Sequence, residues 1–475
     1  MPSVALSLAG CFLFYITYKL ISSTLAKRKL HAEASRRGCG PVPYMKSKYP
    51  FGLSTFVQSL KANKEERGPQ YVVDSMNAIG KDVHTVQVRL LDYELIVTRD
   101  PENVRAALAT QSPDFDIGHN RAESFKPLLG IGIFTSRGEA WKHSRQLVRP
   151  QFSREQISDL DLAERHVQAL SKGLTTGGNG WTDTLDLQPL FYNFTLDTTT
   201  EFIYGHSVHS QDPSSRPVLP TVKGLGAPDR ASLGFHLDAG KAWIETRGAF
   251  WKWYWLISSK DFDYHCKEVH EFVDWFVQLK LQQQYQPSAE TQTPTKQKFV
   301  LLDELAKQTR NPLELRNETL AVLTAGRDTT GALLGWVFYF LARHPRVYAK
   351  LRSIILAEFG PASAASDITF TKLRGCQYLQ YVINESFRVA AVIPLNERVC
   401  IKDTTLPRGG GPDGTQPVFI PKGRQVLLAN YAMQHRADIW GSDVEEFKPE
   451  RWEGRKPGWE FVPFGGGPRV CPGRK

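Results

Sequence analysis

The stretch FVPFGGGPRVCPGRK, Phe461 to Lys475, sets the strongest limit on what this chain can build. Gly465, Gly466 and Gly467 let the backbone come close to a flat partner and take conformations closed to other residues, and Pro468 stiffens the turn behind them. Two residues after Arg469 comes Cys471, far from any other cysteine. A thiolate there needs compensation. Backbone N–H groups of a tight loop supply it by pointing at the sulfur, which leaves Arg469 to pair with a carboxylate on the partner. Such a loop suits a cysteine that coordinates a metal alone, as in haem with a thiolate ligand, better than one that needs three companions. The bland alternative is a buried free cysteine in a glycine turn.

At 475 residues the chain is long enough for one large domain or two to three ordinary ones, with the apolar content of a globular protein. Its net charge of +10 is spread along the chain with no long basic block. No finger spacing or RNP-like signature accompanies the charge, which argues against nucleic-acid binding. Cys11, Cys39, Cys266, Cys376, Cys400 and Cys471 stand far apart without any C-x-x-C, against both a disulfide framework and a structural zinc site. A reducing compartment is expected.

The first segment, VALSLAGCFLFYITYKLISSTLA from Val4 to Ala26, has the length a helix needs to cross a bilayer, with Lys19 able to snorkel. Lys27 to Lys29, Arg36 and Arg37 follow it and by the positive-inside rule keep the rest of the chain on the cytoplasmic side. A cleaved signal peptide wants its charge before the apolar run, so an uncleaved anchor over 1–26 is expected, with an in-plane helix as the alternative. Residues 27–50, including RRGCGPVP, read as a basic, stiff Pro/Gly hinge, and 51–475 as the globular domain.

Within the globule, HTVQVRLLDYELIVTRDPENV reads as paired strands, and LPRGGGPDGTQPVFIPKGRQVLLANY as short strands between turns. Most of the rest has helical spacing, notably Phe134 to Gln168, LLDELAKQTR, NETLAVLTAGRDTTGALLGWVFYFLARHP and YLQYVINESFRVAAVI. GHSVHSQDPSSRPVLPTVKGLGAPDR and QYQPSAETQTPTKQ read as surface loops. The expected fold is mainly α with small β-sheets, a single large domain.

Three further stretches carry chemistry. In AGRDTT, Gly326 and Thr329 lie three apart on one helix face, where a missing side chain beside a hydroxyl makes a small polar notch and Asp328 can relay protons. The other reading is a Thr bonded back to a carbonyl and a glycine that eases helix packing. In ESFR, Glu385 and Arg388 can form a bidentate pair, though E-x-x-R alone usually means a solvated surface pair. In WKHSR, Trp141 and Arg145 share a helical face and offer an indole N–H and a guanidinium to a buried carboxylate, or simply an exposed helix with an apolar anchor.

FGGGPRVCPG matches the haem-binding signature F-x-x-G-x-R-x-C-x-G of the cytochrome P-450 monooxygenases at Phe464, Gly467, Arg469, Cys471 and Gly473, and the other stretches follow that family's order. The chain thus resembles this family, from about residue 35 to the end. The resemblance implies haem b held by the Cys471 thiolate, with Phe464, Arg469, Trp141, Arg145, Arg398 and Gly326 around it. It implies Asp328 and Thr329 as catalytic residues that guide protons to iron-bound dioxygen. Glu385, Arg388 and Arg451 of PERW would form a structural cluster. GIFTSRGEAWKHSRQLVRPQFSREQ, PLNERV, TTLPRGGGPDG and YAMQHRADIWG look like the fungal alkane and fatty-acid hydroxylase branch.

That likeness implies hydroxylation of a long alkyl chain at or near its end, in the endoplasmic reticulum membrane with the catalytic domain cytosolic. The pocket would draw on Phe115 to Phe134, Val322 to Ala325 and Val392 to Leu395. No Gly-rich dinucleotide fingerprint follows a strand, so electrons from NADPH would come through a separate reductase, attracted by residues such as Lys142. The alternatives are a haem-thiolate monooxygenase of secondary metabolism, a haem-thiolate isomerase, which commonly lacks the acid-threonine pair, and an inactive truncated membrane haem protein. Family members continue past the cysteine through a helix, so a C-terminal truncation is expected here. Pro472 departs from the usual Ile, Leu or Ala and removes one N–H donor near the sulfur.

Overall fold

The structure is a computed structural model that describes residues 2–157, 160–283, 299–362 and 368–474. It divides into two compact units, one of Met1–Asp116, Leu395–Met433 and Gly466–Arg469, the other of Ile117–Pro394, Gln434–Gly465 and Val470–Lys475. The expected surface loop QYQPSAETQTPTKQ lies outside the described residues.

The first unit holds the sheets. Strands β1 (Thr85–Leu90) and β2 (Tyr93–Thr98) pair antiparallel, as the alternation in the sequence predicts, and β3 (Phe115–Asp116) and β4 (Asn396–Cys400) join them through β7 (Gln425–Leu428). The strand order is β1-β2-β7-β4-β3, with β2 and β7 parallel. Val86, Val88 and Leu90 point to the buried face at the two-residue period that fixes the register. Asp100 ends β2 and caps the next helix by accepting from the Glu102 and Asn103 N–H groups.

Strands β5 (Thr404–Gly410) and β6 (Gln416–Ile420) form a separate hairpin. The glycines at its turn give room to the N-terminal linker. Gly40 N–H donates to Pro417 O at 2.9 Å, and Gly411 N–H donates to Pro41 O at 3.0 Å. A Cβ on Gly40 would sit 2.3 Å from Gly411 N, so the linker is strapped to the hairpin backbone to backbone.

The N-terminal helix runs through Pro2–Arg36, beyond the expected anchor boundary, because KRKLHAEASR contains no helix breaker and Glu33 pairs with Arg36 and Arg37. No helix among the described residues is long and apolar enough to cross a membrane. Most side chains of the expected anchor, 1–26, lie outside the described residues.

The second unit is helical. Its long helix, Pro312–Arg343, starts where Asn311 accepts from the Leu313 and Glu314 N–H groups and ends two residues before Pro345. It packs against the helices Leu187–Tyr204 and Lys260–Gln283. Phe262, Phe272, Phe276 and Leu301 form the centre of the core there. Close approach to Leu187–Tyr204 depends on small residues, because a Cβ on Gly331 would lie 2.6 Å from Tyr192 Cδ1. The helix Gln377–Val389 carries Glu385 and Arg388, both wholly buried.

Candidate functional site

The cysteine loop is closed by its own backbone. Cys471 N–H donates to Phe464 O at 2.9 Å, and the Phe464 ring stands edge-on to Phe387 with centroids 5.2 Å apart. Phe387 belongs to the Gln377–Val389 helix, so the E-x-x-R helix also steadies the loop. Cys471 is exposed as a residue, yet packing around its sulfur pushes the thiol above its ordinary value, against the lowering effects of the Gly473 N–H and of Arg145 and Arg474. One thiol on a tight loop, with an N–H and two guanidiniums beside it, fits a haem iron that takes a single thiolate. Among the described residues no group of three or more His, Cys, Asp or Glu could hold a metal ion in another way.

In the first unit, Gly467 has φ of +64°, and a Cβ there would lie 1.8 Å from Leu108 O, so no other residue fits. Arg469 follows it and donates from Nη2 to Asp116 Oδ1 at 2.6 Å, both side chains largely buried. The sequence offered Arg469 to a ligand carboxylate, whereas the structure also gives it a carboxylate within the protein. Nothing in DFDIG signals Asp116 as that partner. Arg398, buried in β4, donates to Asn396 Oδ1 at 3.1 Å and Glu397 O at 2.7 Å.

Trp141 and Arg145 lie on the helix Gly138–Val148, both half-buried, with Ser144, Leu147 and Val148 forming its buried side. Burial first, and then Arg149, push the Arg145 guanidinium down, while Cys471 opposes them. The structure thus brings Arg145 to the cysteine. Lys142, expected to attract a reductase, pairs with Glu139 at 2.6 Å on the same helix. Arg149 and Arg474 lie in the field of Arg145 and were missed, because basic residues scattered in sequence give no sign of clustering.

On the long helix the expected notch separates into two parts. Thr329 Oγ1 donates back to Ala325 O at 2.8 Å and the residue is exposed, while a Cβ on Gly326 would meet Thr199 Oγ1 at 3.0 Å. Gly326 thus gives room to Thr199 of the helix Leu187–Tyr204. Asp328 is held by Lys241 at 2.6 Å, from the helix Leu233–Ala249, and by Arg327 at 3.0 Å. Arg327 also grips Asp238 at 2.6 and 2.8 Å and stacks over Tyr192 at 4.9 Å, and Lys241 reaches Asp238 at 2.8 Å. Burial alone raises Asp238, but Arg327 and Lys241 outweigh it and hold the carboxyl below its usual range.

Glu385 accepts from Arg388 Nε at 2.9 Å and Nη2 at 2.8 Å, and from Trp452 Nε1 and Lys448 N–H, both at 3.0 Å. Arg451 Nε adds a fifth contact at 3.3 Å. Arg388 donates onward to the carbonyls of Val444, Glu446 and Gln434. The surface-pair alternative for E-x-x-R is excluded by this burial. Of the expected pocket segments, Val322 is buried, Val392 half-buried and Ile393 exposed, while Phe115 is spent on pairing with Cys400 in the sheet.

The family model of cytochrome P450 matches residues 56–475. Cytochrome P450 monooxygenase g430 of a Fusarium species is 45% identical over 464 residues, 97% of this chain and 80% of that protein. Cytochrome P450 52A13 of Debaryomyces hansenii is 41% identical over 430 residues, 90% of this chain and 80% of its own length. Cytochrome P450 52E1 of Candida apicola is 37% identical, with 100% of this chain and 88% of that protein covered.

Proposed function

The chain belongs to the cytochrome P450 family and is a monooxygenase among the oxidoreductases, and from that premise we propose that it hydroxylates an n-alkane or fatty acid at or near the chain end, with electrons from NADPH delivered by a reductase. The observation that carries the reading is the Cys471 loop, one thiol with an N–H and two guanidiniums beside its sulfur. The likeness to the 52A and 52E relatives supports the substrate class.

Bound haem supplies the oxidation of a C–H bond by dioxygen. The chain's own residues hold the group and manage protons. Cys471 would be the thiolate ligand, and Trp141, Arg145, Arg398 and Arg469 would donate to the haem carboxylates. Phe464 packs beside the ligand loop. Thr329 presents a hydroxyl whose position Ala325 O fixes at 2.8 Å. Asp328 carries the proton, and Lys241 and Arg327 must loosen before Oδ1 can take one from solvent.

A reductase with an acidic docking surface would meet the exposed basic side chains around Arg145, namely Arg149 and Arg474. Attachment to the endoplasmic reticulum membrane would use the exposed stripe Phe14, Tyr18, Ile21 and Leu25 of the first helix, laid in the interface with the globule on the cytosolic side. The test is the carbon monoxide difference spectrum of the dithionite-reduced protein, followed by product analysis with alkanes and fatty acids. A thiolate-type Soret band and terminal alcohols are expected. Absence of haem uptake would overturn the haem assignment, and a band without turnover of either substrate class would overturn the substrate assignment.

A further inference from the structure

Arg469 stands two residues before the cysteine, where a misplaced guanidinium disturbs both the haem carboxylates and the loop that carries the ligand. An unbraced arginine is a poor clamp, because its side chain carries about 2 kcal/mol of rotamer entropy that each contact must overcome. The structure braces it. Asp116 Oδ1 takes the Nη2 end of the fork at 2.6 Å, with 14% of the Asp116 side chain and 16% of the Arg469 side chain exposed.

Asp116 is itself held by backbone rather than by a mobile turn. It closes the two-residue strand β3, opposite Val399 of β4, and Phe115 beside it pairs with Cys400. Val399 follows Arg398, so the sheet sets the positions of Asp116 and of a second expected haem-carboxylate arginine in one register. On the other side of Arg469, Gly467 is pressed onto Leu108 O, which fixes the backbone from which the guanidinium extends. The side chain is thus located at both ends, at its Cα by a glycine contact and at its fork by a carboxylate.

We propose that Asp116 is a positioning residue that holds the Arg469 guanidinium in place for a haem carboxylate, and so sets how long haem is retained; this rests on the haem assignment made above. Asp116 acts through Arg469 and touches no reacting atom. A guanidinium has five N–H donors. With the Nη2 end bonded to Asp116, the torsions that aim the rest of the fork are restrained.

The test uses the full-length holoprotein and follows transfer of haem from its ferric form to excess apomyoglobin. Asp116→Ala is expected to release haem about tenfold faster, the scale of one charge-assisted hydrogen bond. Asp116→Asn keeps an acceptor oxygen and is expected within about threefold of the wild type, since only the charge assistance is lost. The carbon monoxide band should stay thiolate-type in both. In an Arg469→Ala background, Asp116→Ala should add nothing, because the effect passes through the guanidinium. Equal acceleration by Asp116→Ala in both backgrounds would mean a general role in the sheet and would overturn the proposal. So would haem release at the wild-type rate, or release that merely follows a lower melting temperature of the haem-free chain. A wild-type chain that takes up no haem would instead overturn the haem assignment and this proposal with it.

Discussion

Two charged clusters in the second unit share their residue types and differ in almost everything else. Around Glu385 and Arg388 both side chains are completely inaccessible, and the partners are carbonyls, an amide, an indole and Arg451, all fixed in place. Around Asp328 and Arg327 the partners are side chains, Asp238 is half in water, and Lys241 is shared by two carboxylates. The first arrangement has no alternative hydrogen bonds to move into. The second can exchange partners, since water can replace any of its exposed members at modest cost. A site that must keep its shape and the site proposed to pass a proton therefore differ in how many partners are backbone.

The largest effect should follow from breaking the rigid cluster. Glu385→Ala leaves Arg388 buried and unpaired, and removal of one member of a buried pair costs about 3–5 kcal/mol. Urea unfolding is expected to show a loss of that size, with little or no haem incorporated. Full haem content in this variant would show that the two clusters are equivalent.

Breaking the exchangeable cluster should affect rate before stability. Asp328→Asn removes the proposed proton carrier and should lower turnover by roughly 10²–10⁴-fold, the usual range for a positioned acid or base. The urea midpoint should stay close to the wild type. A stability loss comparable to that of Glu385→Ala would place Asp328 with the structural residues. Lys241→Met should give a smaller change, several-fold in rate, and an altered solvent isotope effect, because Asp328 then lacks the ammonium that holds it.

How much of this was legible in the sequence depends on how far apart the partners lie along the chain. Glu385 and Arg388 are three residues apart on a helix, and Trp141 and Arg145 four, so helical geometry alone brings each pair to one face. Strands β1 and β2 were legible for the same reason, as neighbours with a two-residue period. Lys241 lies 87 residues from Asp328, and Asp116 lies 353 from Arg469. No local period encodes such pairings. For Gly326, spacing shows that it neighbours Thr329 but not that Thr199 lies against its open side.

Acid provides a gentler probe of the same contrast. Asp238 has a folded-state value held below the ordinary one by Arg327 and Lys241, although burial alone would raise it. A depressed carboxylate contributes stability that is present above its unfolded value, near 4, and is lost as the pH falls through the lower folded value. Stability measured from pH 6 downward should therefore fall less steeply in Asp238→Asn than in the wild type. An unchanged acid slope would mean that the ion pairs with Asp238 contribute nothing in solution.

The smallest effect tests the packing role of Gly326. A Cβ there would approach Thr199 Oγ1 at 3.0 Å and Cγ2 at 3.1 Å, so a few tenths of an ångström must be found between two long helices. Overpacking of this kind costs about 1–3 kcal/mol, while replacing a mid-helix glycine by alanine regains about 1 kcal/mol of helix propensity. Gly326→Ala should thus be destabilised by about 0–2 kcal/mol, and Thr199→Ser, which removes Cγ2, should restore it. The rescue is the decisive arm. If Gly326 only gives Thr199 room, the double variant recovers stability and turnover together. If Gly326 instead gives room to something bound against the long helix, turnover stays low after stability has returned.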